Sequence, residues 1–378
     1  MLKPLFILPS LNAGGAERVV LNVLRHLDRR RFAPHLFLIR REGVFWDEIP
    51  EGVRVSYGAE PCLKRRYALP VILGRLLSLA MRSHVIVGAL ELEVTYYALL
   101  AGQLTRRPVV GWVHTSLPYY LANMSRAHAR MSRAHARIVP LAYPRLAQVV
   151  GPSVGAALTL RSLVPLTEAK VRVIPNPLEV DWIRVRAAEP LPDWAEPIFE
   201  RPVVLGVGRL SDEKGFDVLI RAHAALRARG VDHHLLLLGE GPEREGLRVL
   251  AAVEGVSDTV FMPGFVGNPY SFTQAAALFV LSSRVEGLPM VLLEALALGT
   301  AVIAADCPSG PREILDGGQF GALVPPEKVD ALVATLEQLF KSPQLRSNVS
   351  RLGRSRAEEF RPECVIPQWE NLLGEMSR

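Results

Sequence analysis

The sequence has little of what marks several classes of protein. Only three of its 378 residues are cysteine and they lie far apart, so no disulfide scaffold or structural zinc site is indicated and a reducing compartment is favoured. No apolar run reaches the ~18 residues of a membrane-spanning helix, and the longest, 69–81, is interrupted by Arg75. The first residues lack the apolar core and cleavage site of a signal peptide. We therefore expect a globular protein of the cytoplasm.

Positive charge is concentrated in the first half of the chain. Residues 1–175 hold 24 Lys and Arg against 10 Asp and Glu, a net charge of +14, whereas residues 176–378 hold 20 against 28, a net charge of −8. This asymmetry indicates that the first half meets an anionic partner, with nucleic acid, a membrane surface and a phosphorylated substrate as candidates. A basic face that contacts only solvent is the alternative.

Two segments of the first half combine positive charge with apolar residues. One is the cationic start of an apolar helix, which fits either a helix lying in a membrane interface or a core helix, and its charges are Lys64, Arg65 and Arg66. The other is a tandem repeat over 125–137, whose helical spacing places four arginines on one side, namely Arg126, Arg130, Arg133 and Arg137. Such a helix suits lipid phosphates or an acceptor phosphate, although a small duplication facing solvent gives the same pattern.

Short apolar runs alternate with helical patterns along the whole chain. The alternation restarts at Val203, after residues 187–202, which carry four prolines and no clear period and therefore indicate a linker or insertion. Strand, helix and strand in succession predict parallel sheets covered on both faces. The sequence therefore predicts two doubly wound α/β domains, 1–175 and 176–360, with ligands bound at the carboxyl ends of the strands in a cleft between them.

Glycine-rich turns lie where predicted strands run into helices. Gly14 and Gly15 stand at such a turn in the first half, where the backbone can approach a ligand and the helix N-terminus favours an anion. Arg209 and Lys214 stand in the corresponding loop of the second half, where arginine can fork onto diphosphate oxygens and lysine adds a point charge. A plain tight turn and a pair of solvated bases are the alternatives.

The strongest signal is a loop and helix start over 282–294. A fully apolar strand leads into Glu286, and Glu294 lies about two turns into the helix that follows. Two carboxylates and the free backbone N–H groups of the helix start can hold sugar hydroxyls. A capping glutamate followed by an exposed glutamate is the alternative. The candidate residues are Glu286, Gly287, Leu288, Pro289, Met290, Val291 and Glu294.

Together these motifs resemble the retaining family 4 glycosyltransferases of the GT-B fold. The resemblance is carried by the segments 14–17, 208–210 and 213–215 and by the Glu-x7-Glu pair of 286 and 294, with supporting segments in the family's order over most of the chain. Two positions depart from the pattern, since proline follows Asn176 and Gly287-Leu288 replaces Phe-Gly. The resemblance implies two Rossmann-like domains with parallel sheets facing a central cleft, and a C-terminal helix within 361–378 that crosses back to the first domain.

The resemblance also implies roles for single residues around a nucleotide-sugar. It assigns Arg209 and Lys214 to the diphosphate and Glu294 to the ribose. Glu286, with the backbone of Gly287 and Leu288, is assigned to the transferred sugar. The remaining implied contacts are the base beside Phe265 and Val266, the phosphates beside Gly15, and the donor sugar beside His114.

The activity implied by the resemblance is glycosyl transfer with retention of configuration. The expected donor is a nucleotide-diphosphate sugar, UDP more than GDP, carrying a hexose or an N-acetylhexosamine. The expected acceptor is a lipid-linked or membrane-proximal glycan of polysaccharide or glycolipid biosynthesis. No Asp-x-Asp triplet occurs, so we expect no metal-bridged diphosphate and no required cofactor. We expect peripheral attachment to the inner face of the cytoplasmic membrane.

Other functions fit parts of the same pattern. A dinucleotide-dependent oxidoreductase would need a third glycine where Ser211 and Arg244 stand, so its fingerprint fails. A GT-B epimerase or phosphorylase would share the phosphate site but use water or phosphate as the second reactant. A non-enzymatic, membrane-associated partner subunit would not bind nucleotide. Nucleic acid is not an expected partner, because the basic segments lack interleaved aromatics and no recognised module is present.

Overall fold

The computed structural model describes residues 1–12, 14–60, 65–123 and 129–377, and their side chains except those of 65–67, 123, 129 and 130. The chain divides into two compact units. The first comprises Met1–Pro177 together with Pro362–Arg378, and the second comprises Leu178–Arg361.

The first unit contains a seven-stranded parallel sheet in the order β3-β2-β1-β4-β5-β6-β7. Its strands are β1 (Pro4–Leu8), β2 (His35–Arg40), β3 (Arg54–Ala59), β4 (Val85–Gly88), β5 (Val109–Trp112), β6 (Gln148–Gly151) and β7 (Val171–Val173). The central strands β1, β4 and β5 are buried along their whole length, which is why they read as continuous apolar runs.

Helices connect and cover these strands. They are α1 (Gly15–His26), α2 (Arg65–Met81), α3 (Glu93–Thr105), α4 (Leu117–Asn123), α5 (Ala129–Ala142), α6 (Val154–Leu163) and, from the end of the chain, the helix Pro362–Met376. In α1 the buried residues include Val19, Val20, Val23 and Leu24, the face that the apolar spacing predicts. No helix of the described ranges is both long and apolar enough to span a bilayer.

The last helix of the chain packs on the first unit. Its Trp369 is fully buried, and the ring centroid lies 4.3 Å from that of Trp112 at the end of β5. Glu370 accepts hydrogen bonds from the backbone N–H of Asp28, at 2.8 Å, and from Arg31, at 2.7 Å. Residues close to the C-terminus therefore complete the core of the unit in which the chain begins.

The second unit contains a six-stranded parallel sheet in the order β10-β9-β8-β11-β12-β13. Its strands are β8 (Val203–Val207), β9 (His234–Leu238), β10 (Val260–Gly264), β11 (Leu278–Leu281), β12 (Val302–Ala305) and β13 (Ala322–Val324). Two parallel, doubly wound sheets confirm the predicted α/β class.

The helices of the second unit lie between these strands and after the last of them. They are α7 (Val180–Ala187), α8 (Glu196–Phe199), α9 (Phe216–Ala228), α10 (Arg244–Val253), α11 (Tyr270–Ala275), α12 (Met290–Leu298), α13 (Pro311–Ile314), α14 (Val329–Lys341) and α15 (Pro343–Glu358), and the helix Pro362–Met376 is α16.

Two sequence-based expectations differ from this structure. The proline-rich stretch 187–202, interpreted as a linker or insertion, does not link the two units: it lies within the second, forms a 3-10 turn and α8, and buries Ala195 and Ile198 in that unit's core. Apolar runs in the sequence predicted every strand of the two sheets except the edge strands β3 and β13. Both are partly exposed, so they lack the continuous apolar run that reveals a central strand.

Candidate functional site

The order of strands in the second sheet marks one ligand-binding edge. Strand numbering runs outward in opposite directions from the β8–β11 pair, and doubly wound sheets bind ligands at the carboxyl ends of the strands at such a point. The loop after β8 carries residues 208–215, and the loop after β11 carries residues 282–289. These two loops contain the predicted phosphate and sugar motifs.

Lys214 and Glu286 form an ion pair across the two loops. Lys214 Nζ lies 2.7 Å from Glu286 Oε1, and the Ser283 hydroxyl donates a hydrogen bond to the same oxygen, also at 2.7 Å. The Glu286 side chain is 9% exposed and that of Lys214 is 22% exposed. Burial would lower the pKa of Lys214, but the adjacent Glu286 carboxylate outweighs it and raises that pKa above its ordinary value. Lys214 is therefore a shielded ammonium group at neutral pH.

The backbone holds the two loops together beside this pair. The Ser282 hydroxyl donates to the Lys214 carbonyl at 2.9 Å, and the Arg284 backbone N–H donates to the Glu213 carbonyl at 2.8 Å. Gly215 has a φ of +62°, and a Cβ at this position would lie 2.2 Å from the Ser282 carbonyl oxygen. The close approach and the left-handed conformation together require glycine here.

Arg284 connects the same loops through its side chain. It forks onto the Asp217 carboxylate at 3.0 and 2.9 Å, and it also donates to the Asp212 carbonyl at 2.6 Å and to Glu327 at 3.1 Å. Hydrogen bonding to Asp217 outweighs burial and raises the pKa of Arg284, so its charge is permanent. This arrangement anchors the Lys214 loop to the first turn of α9 and to the loop after β13.

The segment 287–294 leads from the ion pair into α12. Gly287, Leu288 and Pro289 are buried, and the helix begins at Met290. Met290, Val291 and Glu294 are half-buried. A second loop supports this turn: the Ser309 hydroxyl donates to the Glu286 carbonyl, and a Cβ on Gly310 would lie 2.6 Å from Pro289 Cδ. Gly310, with a φ of +92°, is thus the second position where close packing requires glycine.

The other predicted donor residues of the second unit are more exposed. Arg209 lies at the surface, and its guanidinium has no hydrogen-bond or ion-pair partner in the part of the chain that the structure describes. Phe265 is 70% exposed and Val266 is half-buried, both in the loop after β10. These positions leave the Arg209 side chain and the 265–266 segment accessible to a ligand.

The first sheet has the same kind of edge, between β1 and β4. Gly14 caps α1, and a Cβ there would lie 2.0 Å from the carboxylate of Glu17, which folds back over it. Gly15 is exposed, with open space where a Cβ would be. Burial raises the pKa of Glu17.

Glu91 and His114 lie at this edge, just beyond β4 and β5. The His114 backbone N–H donates to Glu91 Oε1 at 3.4 Å, and the His114 ring lies 4.6 Å from that of Trp112. Burial lowers the pKa of His114 to about 4, so the imidazole is neutral. Burial raises the pKa of Glu91 to about 7, and the nearby Glu17 carboxylate acts in the same direction.

The structure does not describe the side chains of most lysine and arginine residues in the two cationic segments of the first unit. Lys64 and Arg126 are outside the described residues, and the side chains of Arg65, Arg66 and Arg130 are not described either. Arg133 and Arg137 lie on α5 and are exposed, as are two apolar residues of the same helix, Met131 and Ile138.

Several residues at these edges have no counterpart among the sequence-based candidates. Ser283, Arg284 and Ser309 support Glu286 and the Lys214 loop, and Glu91 lies beside His114. Ser283 and Arg284 lie in the same 282–294 segment as Glu286, so their position in the sequence could have identified them as candidates. Glu91 follows β4 by three residues, and no motif in the sequence singled it out, whereas His114 was assigned through the family resemblance.

Two models of known protein families match the chain. The family model described as Glycosyltransferase Family 4 matches residues 13–182, and the model described as Glycosyl transferases group 1 matches residues 194–356. The two matches follow one another and cover most of the chain.

Individual proteins are similar over long stretches. A Campylobacter jejuni enzyme, N-acetylgalactosamine-N,N'-diacetylbacillosaminyl-diphospho-undecaprenol 4-alpha-N-acetylgalactosaminyltransferase, is 28% identical over 93% of each chain. An uncharacterized glycosyltransferase of Haemophilus influenzae is 30% identical over 61% of this chain, which spans 65% of that relative's length. The crystal structure of Anabaena HepE in complex with UDP-glucose superposes with a TM-score of 0.81 at 19% identity, over 99% of this chain and all of that one.

Proposed function

Because the chain belongs to the group 1 glycosyltransferases of the GT-B fold, we propose a specific reaction for it. It transfers a hexose or N-acetylhexosamine from a nucleoside-diphosphate sugar, with UDP preferred over GDP, to a lipid-linked glycan in polysaccharide or glycolipid biosynthesis. The anomeric configuration is retained, and neither a metal ion nor a cofactor is required. The similarity to an enzyme named for an undecaprenyl-diphosphate-linked substrate and to a structure containing UDP-glucose supports the substrate classes.

The observation that carries the proposal is the Lys214–Glu286 pair at the edge between β8 and β11. During transfer, the bond from the anomeric carbon to the phosphate oxygen breaks and a bond to the acceptor oxygen forms. The acceptor proton passes to the departing phosphate, so no side-chain base is needed. A shielded ammonium group stabilises the negative charge that develops on the leaving diphosphate, and the adjacent carboxylate can accept hydrogen bonds from the transferred sugar.

We assign the other predicted site residues to further parts of the donor. Arg209 has a free guanidinium for the diphosphate, and the N-terminal end of α12 adds backbone N–H groups. We assign Glu294, which lies one turn into α12 and not the expected two, to the ribose hydroxyls, and the backbone at Phe265 and Val266 to the base. In the first unit, we assign the glycine turn of Gly14 and Gly15 and the neutral ring nitrogen of His114 to the donor, as the resemblance implies.

A lipid-linked acceptor places the first unit at a membrane surface. The net charge of +14 over residues 1–175 favours an anionic surface. The exposed Arg133 and Arg137 and the exposed Met131 and Ile138 give α5 the charged and apolar residues of an interfacial helix. We therefore propose peripheral attachment to an anionic membrane through this unit.

Calorimetric binding of UDP and GDP, each with magnesium and with a chelator, tests the donor site. We expect UDP to bind equally well in both conditions. Lys214→Ala should weaken UDP binding by roughly tenfold or more, because a charge-assisted contact to phosphate is lost. Lys341→Ala removes an exposed lysine of the same unit and should leave the affinity unchanged.

A double variant separates the two consequences of removing Lys214, since the single variant also leaves Glu286 buried without its partner. In Lys214→Ala with Glu286→Gln, UDP affinity should stay low if Lys214 contacts the diphosphate. Full recovery of affinity in the double variant, or a wild-type protein that binds neither nucleotide, would contradict the proposed donor site.

A further inference from the structure

The edge between β1 and β4 holds a buried carboxylate that the proposed donor site does not use. Glu91 is 8% exposed, and its Oε2 has no hydrogen-bond partner among the residues that the structure describes. A buried carboxylate oxygen without a donor is costly. The adjacent Leu92 has a φ of +60°, an uncommon conformation for a branched residue. The chain thus maintains an unfavourable arrangement at this point.

His114 presents a second unpartnered acceptor at the same edge. Its Nε2 is shielded from solvent and, within the described ranges, has no hydrogen-bond partner. The ring hydrogen-bonds to the backbone carbonyl of Ala89, so the neutral tautomer carries its hydrogen on the other nitrogen and Nε2 is an acceptor. When Glu91 is ionised, Glu91 and His114 therefore contribute two acceptors and no donor to this edge of the sheet.

The charges around Glu91 indicate which ligand such a site can take. Glu17 of α1 adds negative charge, and Tyr143 contributes a phenol whose oxygen accepts a hydrogen bond from the Leu92 backbone N–H at 3.3 Å. His114 is neutral. A phosphate, which offers only acceptor oxygens and negative charge, is therefore repelled here. A neutral ligand with hydroxyl groups would donate a hydrogen bond to each free acceptor.

We propose that Glu91 is a sugar-binding residue, whose Oε2 accepts a hydrogen bond from a hydroxyl of a hexose or N-acetylhexosamine unit while His114 Nε2 accepts one from a neighbouring hydroxyl. This inference rests on the proposed transferase function and adds a carboxylate of the first unit to it. The hydroxyls belong either to the sugar of the glycan acceptor or to the transferred sugar of the donor. The two sources share this chemistry and differ in which substrate loses affinity when Glu91 changes.

The test compares Glu91→Gln with Glu93→Gln in the full-length protein. Both substitutions replace a carboxylate by its isosteric amide, but Glu93 is exposed and lies two residues further along. Three quantities are measured for each variant: the Kd for UDP, the rate of UDP-sugar hydrolysis without acceptor, and the KM values for UDP-sugar and for a short-chain polyprenyl-diphosphate N-acetylhexosamine acceptor.

Glu91→Gln should leave the Kd for UDP unchanged and raise one KM by roughly ten- to a hundredfold, because a hydrogen bond to a charged acceptor is lost. A higher KM for the acceptor, with hydrolysis unchanged, identifies the acceptor sugar. A higher KM for the donor, with slower hydrolysis, identifies the transferred sugar. Both KM values unchanged in Glu91→Gln would overturn the proposal, whereas failure of the wild-type protein to bind UDP would instead overturn the proposed function.

The pH dependence of kcat/KM gives a second test. If Glu91 were only structural, its ionisation would not change this dependence. Because the pKa of Glu91 is raised to about 7, the ionised carboxylate forms only as the pH rises through that value. Transfer by the wild type and by Glu93→Gln should therefore increase across this range, and transfer by Glu91→Gln should not. If Glu91→Gln misfolds, the wild-type profile still decides, since a profile without this rise contradicts the proposal.

Discussion

Replacing Glu91 by glutamine should stabilise the protein at alkaline pH and not at acidic pH. Burial raises the pKa of this carboxyl from 4.5 to about 7 in the folded chain. Between these values the folded state holds a proton that the unfolded state has lost, so stability falls as the pH rises through this window. The difference between the two pKa values corresponds to a loss of about 3 kcal/mol of folding free energy. The loss is complete once the pH is above ~7. Glutamine does not titrate and is free of this cost.

Differential scanning calorimetry at about pH 5 and about pH 8 measures the effect, since ~1 kcal/mol shifts the melting temperature by roughly 2–4 °C in a domain of this size. The melting temperature of Glu91→Gln minus that of wild type should be several degrees higher at about pH 8 than at about pH 5. Any effect of the amide that does not depend on pH is the same in both conditions and cancels when they are compared. Glu93→Gln, at an exposed position, should show no such change. An equal difference between Glu91→Gln and wild type at both pH values would refute the reasoning.

Two further predictions concern Arg284 and α5. Arg284→Ala should destabilise the second unit by about 1–3 kcal/mol and weaken UDP binding, and Arg284→Lys should restore little, because lysine cannot fork onto Asp217. Thermal unfolding and calorimetry measure both effects, and wild-type stability together with wild-type UDP affinity in the alanine variant would contradict the assigned role. Charge reversal of Arg133 and Arg137 should lower co-sedimentation with phosphatidylglycerol vesicles by tenfold or more, at about 1 kcal/mol for each charge. Neutral vesicles and the variant Arg351→Glu are the controls, and unchanged binding would contradict the membrane proposal.

Local patterns in the sequence predicted the central strands and the edge strands β7 and β10, but not the edge strands β3 and β13. Central strands such as β1 and β11 are covered on both faces and therefore appear as uninterrupted apolar runs. The edge strand β3 is half-exposed and mixes charged, polar and small residues, so no period distinguishes it from a loop. Proline content misled in the same way at 187–202, because proline in the first turn of a short helix is compatible with a packed segment.

The candidate site, too, could be predicted from the sequence only in part. Lys214 and Glu286 were recognisable because each follows a strand in a glycine-containing loop, but their mutual contact joins residues 72 apart in sequence. That contact follows from the adjacency of β8 and β11, which the order of elements along the chain does not reveal. Glu91 lacked any accompanying glycine motif, and only its burial and its unpartnered oxygen distinguish it from an ordinary surface glutamate.

The packing of Trp369 against Trp112 has a consequence for biosynthesis on the ribosome. The two residues are separated by about 250 positions, which include the whole second unit. At 5–20 residues per second, translation of that interval takes roughly 10–50 s. During this time α16 has not yet been synthesised, so the face of the first sheet on which it packs is uncovered. The first unit is therefore completed only after the second has been synthesised, because its core needs α16 as well as the strands made before it.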